Sequence, residues 1–149
     1  MSSLDDNEAL KLDNQVCFAM SVANRALIGI YRPLLEPLGL THPQYLAMLA
    51  LWEHSPCSVN ELCELLLQDA PTMSPILKRL ESAGLLTRRR SAADERRLEV
   101  ELTDKGWELR ELAPPVPVAV TKQLDMQIAE LTHLRETLWR VIDAAQPKP

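Results

Sequence analysis

A chain of 149 residues, 46% of them hydrophobic, is long enough to close a real core. Only six residues are aromatic, so that core must be built from Leu, Val, Ile, Ala and Met. No apolar run approaches the roughly 18 residues of a membrane helix, and the acidic, polar opening MSSLDDNEAL does not read as a secretory signal. Three cysteines without a CxxC pair or a His/Cys cluster offer no zinc site. Neither metal nor cofactor is expected, and a reducing cytoplasm is the expected compartment.

Helices come first in chain order. From Asp13 to Leu38 apolar residues recur at three- and four-residue steps (Val16, Met20, Ala23, Leu27, Ile30, Leu34), and Pro33, Pro37 and Gly39 are expected to end that helix. Thr41-His42-Pro43-Gln44 fits a capping box that opens a second helix, with Tyr45, Met48, Leu49 and Trp52 on its apolar side. Ser55-Pro56 breaks it. Ser58-Val59-Asn60-Glu61 is a second capping box, starting a short helix through Leu62, Leu65 and Leu66.

The next helix begins near Pro71 or Thr72 and turns Ile76, Leu77 and Leu80 inward, leaving Thr72, Ser74, Lys78 and Arg79 outside. Pro75 lacks a donor and belongs in or just past the first turn. Gly84 is a good stop. Leu85 to Arg90 and Leu98 to Leu102 then pair as a hairpin, with Leu98, Val100 and Leu102 toward the core and Arg97, Glu99 and Glu101 toward water. Thr103 caps a helix through Trp107 and Leu112, Pro114, Pro115 and Pro117 form a joint, and a final amphipathic helix runs from Leu124 to Ile142. The tail QPKP is expected to fray.

Helix, strand, polar turn, alternating strand is the order of a winged helix, and its charge is distinctive. The whole chain carries −5, yet Lys78 to Arg97 holds seven basic residues against three acidic ones. That local +4 leaves −9 for everything else. A cationic hairpin beside a helix sized for the major groove points to duplex DNA as partner. The competing reading of Arg88-Arg89-Arg90 is a solvated strand. The outer helices carry more apolar surface than a winged helix of roughly 65 residues can cover, so a symmetric homodimer and an inverted-repeat operator are expected. The fold class is therefore mainly α with a small β hairpin. A winged helix-turn-helix of about residues 41–104 lies between dimerisation helices at about 8–40 and 105–146, all forming one domain.

Asp94-Glu95-Arg96, followed by Leu98 to Gly106 (LEVELTDKG), resembles the D-x-R wing and L-T-x-x-G signature of the MarR family of bacterial transcription regulators. Leu12-Asp13-Asn14-Gln15-Val16-Cys17-Phe18, Tyr31-Arg32-Pro33-Leu34-Leu35 and Pro43-Gln44-Tyr45-Leu46 are similar to its thiol-sensing OhrR branch. The resemblance runs from about Leu12 to Gly106. It implies a homodimeric repressor that senses organic hydroperoxides through Cys17. With no resolving cysteine after Cys63, the expected product is sulfenic acid and then a mixed disulfide with a low-molecular-weight thiol. With no catalytic base near Cys17, an enzyme is not expected. By the same resemblance Thr72, Ser74, Lys78 and Arg79 contact DNA, Arg96 enters the minor groove, Asp94 fixes that arginine and its turn, and Arg88, Arg89 and Arg90 meet phosphates. The donors that tune the cysteine fall on Tyr31 and, where relatives have a second tyrosine, on His42.

A cysteine senses peroxide as thiolate, so its pKa must fall below the free value of about 8.5. Tyr31 lies fourteen residues after Cys17, roughly 21 Å along one straight helix, so each Tyr31 must reach the partner's Cys17 across a dimer. His42 can donate a hydrogen bond and, if protonated, would favour the thiolate more strongly than a phenol; a surface histidine is the plainer reading. Cys57 and Cys63 read as small buried residues, and no cysteine follows Cys63 to act as a resolving thiol. Three rivals remain open: a repressor released by a small phenolic ligand between Met20, Ile28, Met48 and Trp52, a thiol peroxidase using Cys17, and a winged helix that contacts only proteins.

Overall fold

The computed structural model describes residues 5–147. The end of the QPKP tail lies outside them. Backbone packing divides the chain into two units, Met1–Pro114 and Pro115–Pro149.

The first unit opens with a single turn, α1 (Asp6–Ala9), and a 3-10 turn at Leu12–Asn14. The long helix α2 (Val16–Leu35) follows, then a second 3-10 turn at Glu36–Leu38. The single helix expected from Asp13 to Leu38 is thus three pieces. Pro33 does not end α2 but sits inside its last turn, because a proline removes only its own donor and the helix has just two residues left to run. Gly39 closes the segment at φ +70, in the left-handed region that suits glycine.

Both capping boxes form as the spacing requires. Thr41 Oγ1 accepts from Gln44 N at 3.4 Å and opens α3 (His42–His54). Ser58 Oγ accepts from Glu61 N at 3.0 Å and opens α4 (Val59–Leu66). In α3 the buried side is Gln44, Tyr45, Ala47, Met48 and Leu51, while Leu49 faces out. Helix α5 (Ala70–Ser82) starts one residue before the expected range. Its cap is Asp69, whose carboxylate accepts from Thr72 N at 2.8 Å. Pro75 lies within it, just past the first turn.

Gly84, at φ +79, turns the chain out of α5. Strand β2 (Leu86–Arg90) pairs antiparallel with β3 (Leu98–Leu102), Leu86 opposite Leu102 and Arg90 opposite Leu98. The hairpin has a third strand that the sequence pattern does not announce. The dipeptide β1 (Cys57–Ser58) pairs with the far side of β3, giving the order β1-β3-β2. Two residues are too few to show a period of two. Val100 and Leu102 are buried as expected and Leu98 is half-buried. Leu35, Met48, Leu51, Leu62, Met73, Leu77, Leu80, Leu86 and Val100 are almost wholly excluded from solvent. Each contributes about 1.5–3 kcal/mol of transfer free energy, and together they lock α3, α4, α5 and the sheet into one core. Helix α6 (Asp104–Arg110) follows, capped by Thr103 accepting from Gly106 N at 3.2 Å.

In the second unit the prolines begin a helix rather than only joining two, since Pro115 and Pro117 stand in the first turn of α7 (Pro115–Leu124). Asp125, at φ 51, then breaks the chain before α8 (Ile128–Ala145). The helix expected from Leu124 to Ile142 is therefore interrupted at its start. Gln127 N donates to Glu130 Oε2 at 2.7 Å and sets the new beginning.

Candidate nucleic-acid interface and thiol site

Helix α5 divides cleanly. Met73, Leu77 and Leu80 are buried, whereas Thr72, Ser74, Lys78 and Arg79 are exposed on its outer side. All four side chains expected to read DNA are therefore exposed to solvent. The cap at Asp69 uses the backbone N–H of Thr72. Hydrogen bonding from Thr72, its side chain first and its backbone second, holds the Asp69 carboxyl below the usual carboxylate range. Beyond the far end of the helix, Lys105 Nζ donates to Ala83 O at 2.8 Å, placing a cation at the negative end of the helix dipole.

The wing loop between β2 and β3 is tied by its own backbone. Ser91 N donates to Arg97 O at 2.8 Å, and Arg97 N donates to Asp94 O at 2.9 Å. Asp94 Oδ1 accepts from Arg96 N at 3.0 Å. Asp94 thus holds the turn through the backbone of Arg96, not through its guanidinium. Arg90 Nη1 donates to Glu95 O at 3.1 Å, which lays that side chain along the loop.

The cations are not equivalent. Glu81 of α5 accepts from both the backbone N–H of Arg88, at 3.0 Å, and its guanidinium, at 3.2 Å. These bonds from Arg88 hold the Glu81 carboxyl below its usual range. Arg97 donates to Glu61 at the start of α4. Two of the seven basic residues are therefore committed to the protein's own acids. Lys78, Arg79, Arg89, Arg90 and Arg96 are exposed and form no ion pair among the described residues.

The thiol site has two separated parts. Cys17 is exposed in the first turn of α2. Tyr31 is fourteen residues on in the same helix, and its ring centroid lies 5.0 Å from that of His42. Tyr45, which the sequence pattern marked only as apolar, stands 5.7 Å away from Tyr31. Burial pushes the Tyr31 and Tyr45 phenols up and the His42 imidazole down. Near neutral pH the two phenols keep their protons and His42 is a neutral ring, so the imidazolium that would act most strongly on a thiolate is disfavoured here. A groove of about 600 Å³ opens beside this cluster, bordered by Ile28, Arg32, Glu36 and His42. Of the four residues expected to line a ligand pocket, Ile28 borders this groove and Met20, Met48 and Trp52 do not. Met48 is fully buried, and Trp52 is anchored through Nε1 to Gly106 O at 3.0 Å. Cys57 is buried in β1, and burial followed by the neighbouring Glu61 raises its thiol. Cys63 is half-buried, and its thiol is likewise raised by burial.

A sequence model of the MarR family matches residues 38–97. Over 139 residues the chain is 38% identical to the organic hydroperoxide resistance transcriptional regulator of Bacillus subtilis (strain 168), covering 93% of this chain and 95% of that relative. The chain belongs to the MarR family. Among solved structures it is similar to reduced AbfR bound to DNA, with a TM-score of 0.77 and 31% identity over 94% of this chain and 98% of the other. Disulfide-formed AbfR matches with a TM-score of 0.64 and 33% identity over 92% and 96%. AbfR is a protein of Staphylococcus epidermidis. As a member of the MarR family the chain is a DNA-binding transcriptional regulator with a winged helix-turn-helix, and not an enzyme. Among the described residues no helix is long and apolar enough to cross a membrane.

The family signature acquires a physical reason in this MarR-family regulator. A Cβ on Gly106 would stand 2.2 Å from Leu85 O, so the L-T-x-x-G glycine is required where α6 crosses the start of the wing. Sequence reasoning missed Asp69, Glu61 and Glu81 as supports of α5 and the wing. Asp69 was legible as a cap three residues before Thr72. Glu61 was visible only as a helix cap, and its second bond, 36 residues away, has no local signal.

Proposed function

We propose that two copies of this chain form a repressor that grips an inverted-repeat operator and releases it when organic hydroperoxide oxidises Cys17. The separation of Cys17 from the Tyr31–His42 pair along α2 carries this reading. Between and around them the helix offers Val16, Phe18, Met20 and Val22 to solvent. A second copy packed antiparallel against that face would bury these side chains and bring each thiol to the other protomer's phenol and imidazole donors. In α8, Ile128, Leu134, Trp139 and Val141 are similarly exposed. The terminal helices would then be the dimer arms around the winged helix. The names of the Bacillus subtilis relative and of disulfide-formed AbfR support thiol chemistry in this branch.

In this reading the Cys17 thiolate attacks the distal peroxide oxygen, the O–O bond breaks, and an alcohol leaves as the sulfur becomes sulfenic acid. A low-molecular-weight thiol then attacks that sulfur, water leaves, and a mixed disulfide remains. The bulk added at the arm moves the two reading heads off register. Lys78, Arg79, Arg89, Arg90 and Arg96 would supply phosphate and groove contacts, with Thr72 and Ser74 at the base edges. Gel-shift titration with cumene hydroperoxide tests the reading. Wild type should release a selected inverted-repeat duplex and Cys17→Ser should hold it; equal release by both removes Cys17 from the mechanism.

A second reading has one observation in its favour, the groove bordered by Ile28, Arg32 and His42. There a small phenolic ligand could act reversibly. Release of DNA by such a compound from Cys17→Ser would favour it.

A further inference from the structure

Arg97 stands immediately before β3, so the place of its side chain governs the place of the wing loop. Its backbone closes that loop from both directions, accepting from Ser91 N at 2.8 Å and donating to Asp94 O at 2.9 Å. Its guanidinium is bound to Oε1 of Glu61. Glu61 cannot swing freely to follow it. The other carboxylate oxygen accepts from Ser58 N at 3.2 Å, and Glu61 N donates to Ser58 Oγ at 3.0 Å, in the capping box that starts α4. A continuous set of bonds thus runs from the fixed end of α4 through Glu61 and Arg97 to Asp94, which holds Arg96 N at 3.0 Å. The opposite strand of the wing is held separately by Glu81 and Arg88.

We propose that Glu61 and Arg97 are positioning residues for DNA recognition: they set the angle of the wing against α4 and α5, and so decide where Arg96 meets the duplex. This rests on DNA binding by the winged helix and is independent of the chemistry at Cys17. Both side chains are nearly half exposed, 45% for Arg97 and 46% for Glu61. Such a pair contributes little to global stability, so its loss should leave the protein folded while the wing gains freedom.

A purely electrostatic role predicts opposite effects of the two residues, because Glu61 repels phosphate and Arg97 attracts it. Positioning predicts effects in the same direction. The experiment uses the full chain, an inverted-repeat duplex selected by the wild-type protein from a random library, and a scrambled duplex of equal length. Affinity for both is measured at several salt concentrations. Glu61→Gln keeps the capping box, since Gln serves at that position, and Arg97→Gln does not touch it. Each should lower the selected-to-scrambled affinity ratio by roughly fivefold. The double variant should be no worse than either single one. The proposal is overturned if Glu61→Gln tightens and Arg97→Gln weakens both duplexes alike and additively, or if the ratio does not move.

Discussion

Gly106 shows how one residue can carry a whole junction. Its missing side chain lets α6 approach the Leu85 carbonyl, and its own carbonyl receives the indole of Trp52. Gly106→Ala should destabilise the protein by about 2–4 kcal/mol, since backbone rather than a flexible side chain must yield. Thermal unfolding followed by circular dichroism would show a melting point lower by several degrees. His42 makes a second prediction at this scale. Burial depresses its folded pKa below 6.5, so the unfolded chain binds a proton that the folded chain resists. The stability held by the neutral ring is present above about pH 6.5 and is lost as pH falls below it. Between about pH 7 and 5 the wild-type melting point should drop more than that of His42→Gln. An equal slope for both would mean that other groups govern the acid limb. Cys17, Tyr31 and His42 were each legible as positions in the sequence. That Tyr31, His42 and Tyr45 form one aromatic cluster was not, because it joins α2 to α3 and depends on the angle between them.

At the scale of elements, the wing sorts its arginines into ion-paired supports and exposed cations. Arg88 is bonded to Glu81 of α5, while Arg89, its neighbour on the opposite face of β2, is exposed and forms no ion pair among the described residues. The run Arg88-Arg89-Arg90 is uniform as sequence, and only strand alternation against a packed helix separates its members. Arg89→Gln should therefore flatten the slope of log affinity against log salt by about one, the share of a single neutralised phosphate. Arg88→Gln should leave that slope nearly unchanged and weaken binding through a less ordered wing. Salt titrations of the two variants on one duplex decide between this division and three equivalent arginines. The capping boxes at Thr41 and Ser58 were fully legible, since a cap closes within three residues. Strand β1 was not, because its pairing with Val100 and Glu99 is made more than 40 residues away.

At the scale of the whole molecule, the exposed apolar faces are the dominant fact. In α2 only Leu35 is buried, and in α8 no residue is. Apolar surface left to water costs about 25 cal/mol per Å², which makes self-association the expected state of the regulator. Phe18→Glu should place a charge in that interface, shift the sedimentation coefficient to that of a single chain, and abolish binding to an inverted repeat while sparing the winged helix. A variant that still sediments as a dimer would move the interface away from the N-terminal half of α2.

The amino-acid sequence by itself determined the order of helix, strand, wing and strand, the caps, the glycine stops and the concentration of positive charge on one segment of an acidic chain. Each of these is encoded within a few residues, by periodicity, side-chain-to-backbone bonds or simple charge counting. Tertiary structure alone decided which arginines form ion pairs among the described residues, which acids hold the wing, why Gly106 tolerates no side chain and where β1 pairs. Those outcomes depend on distances between residues far apart in the chain, and packing sets such distances only once the core has closed.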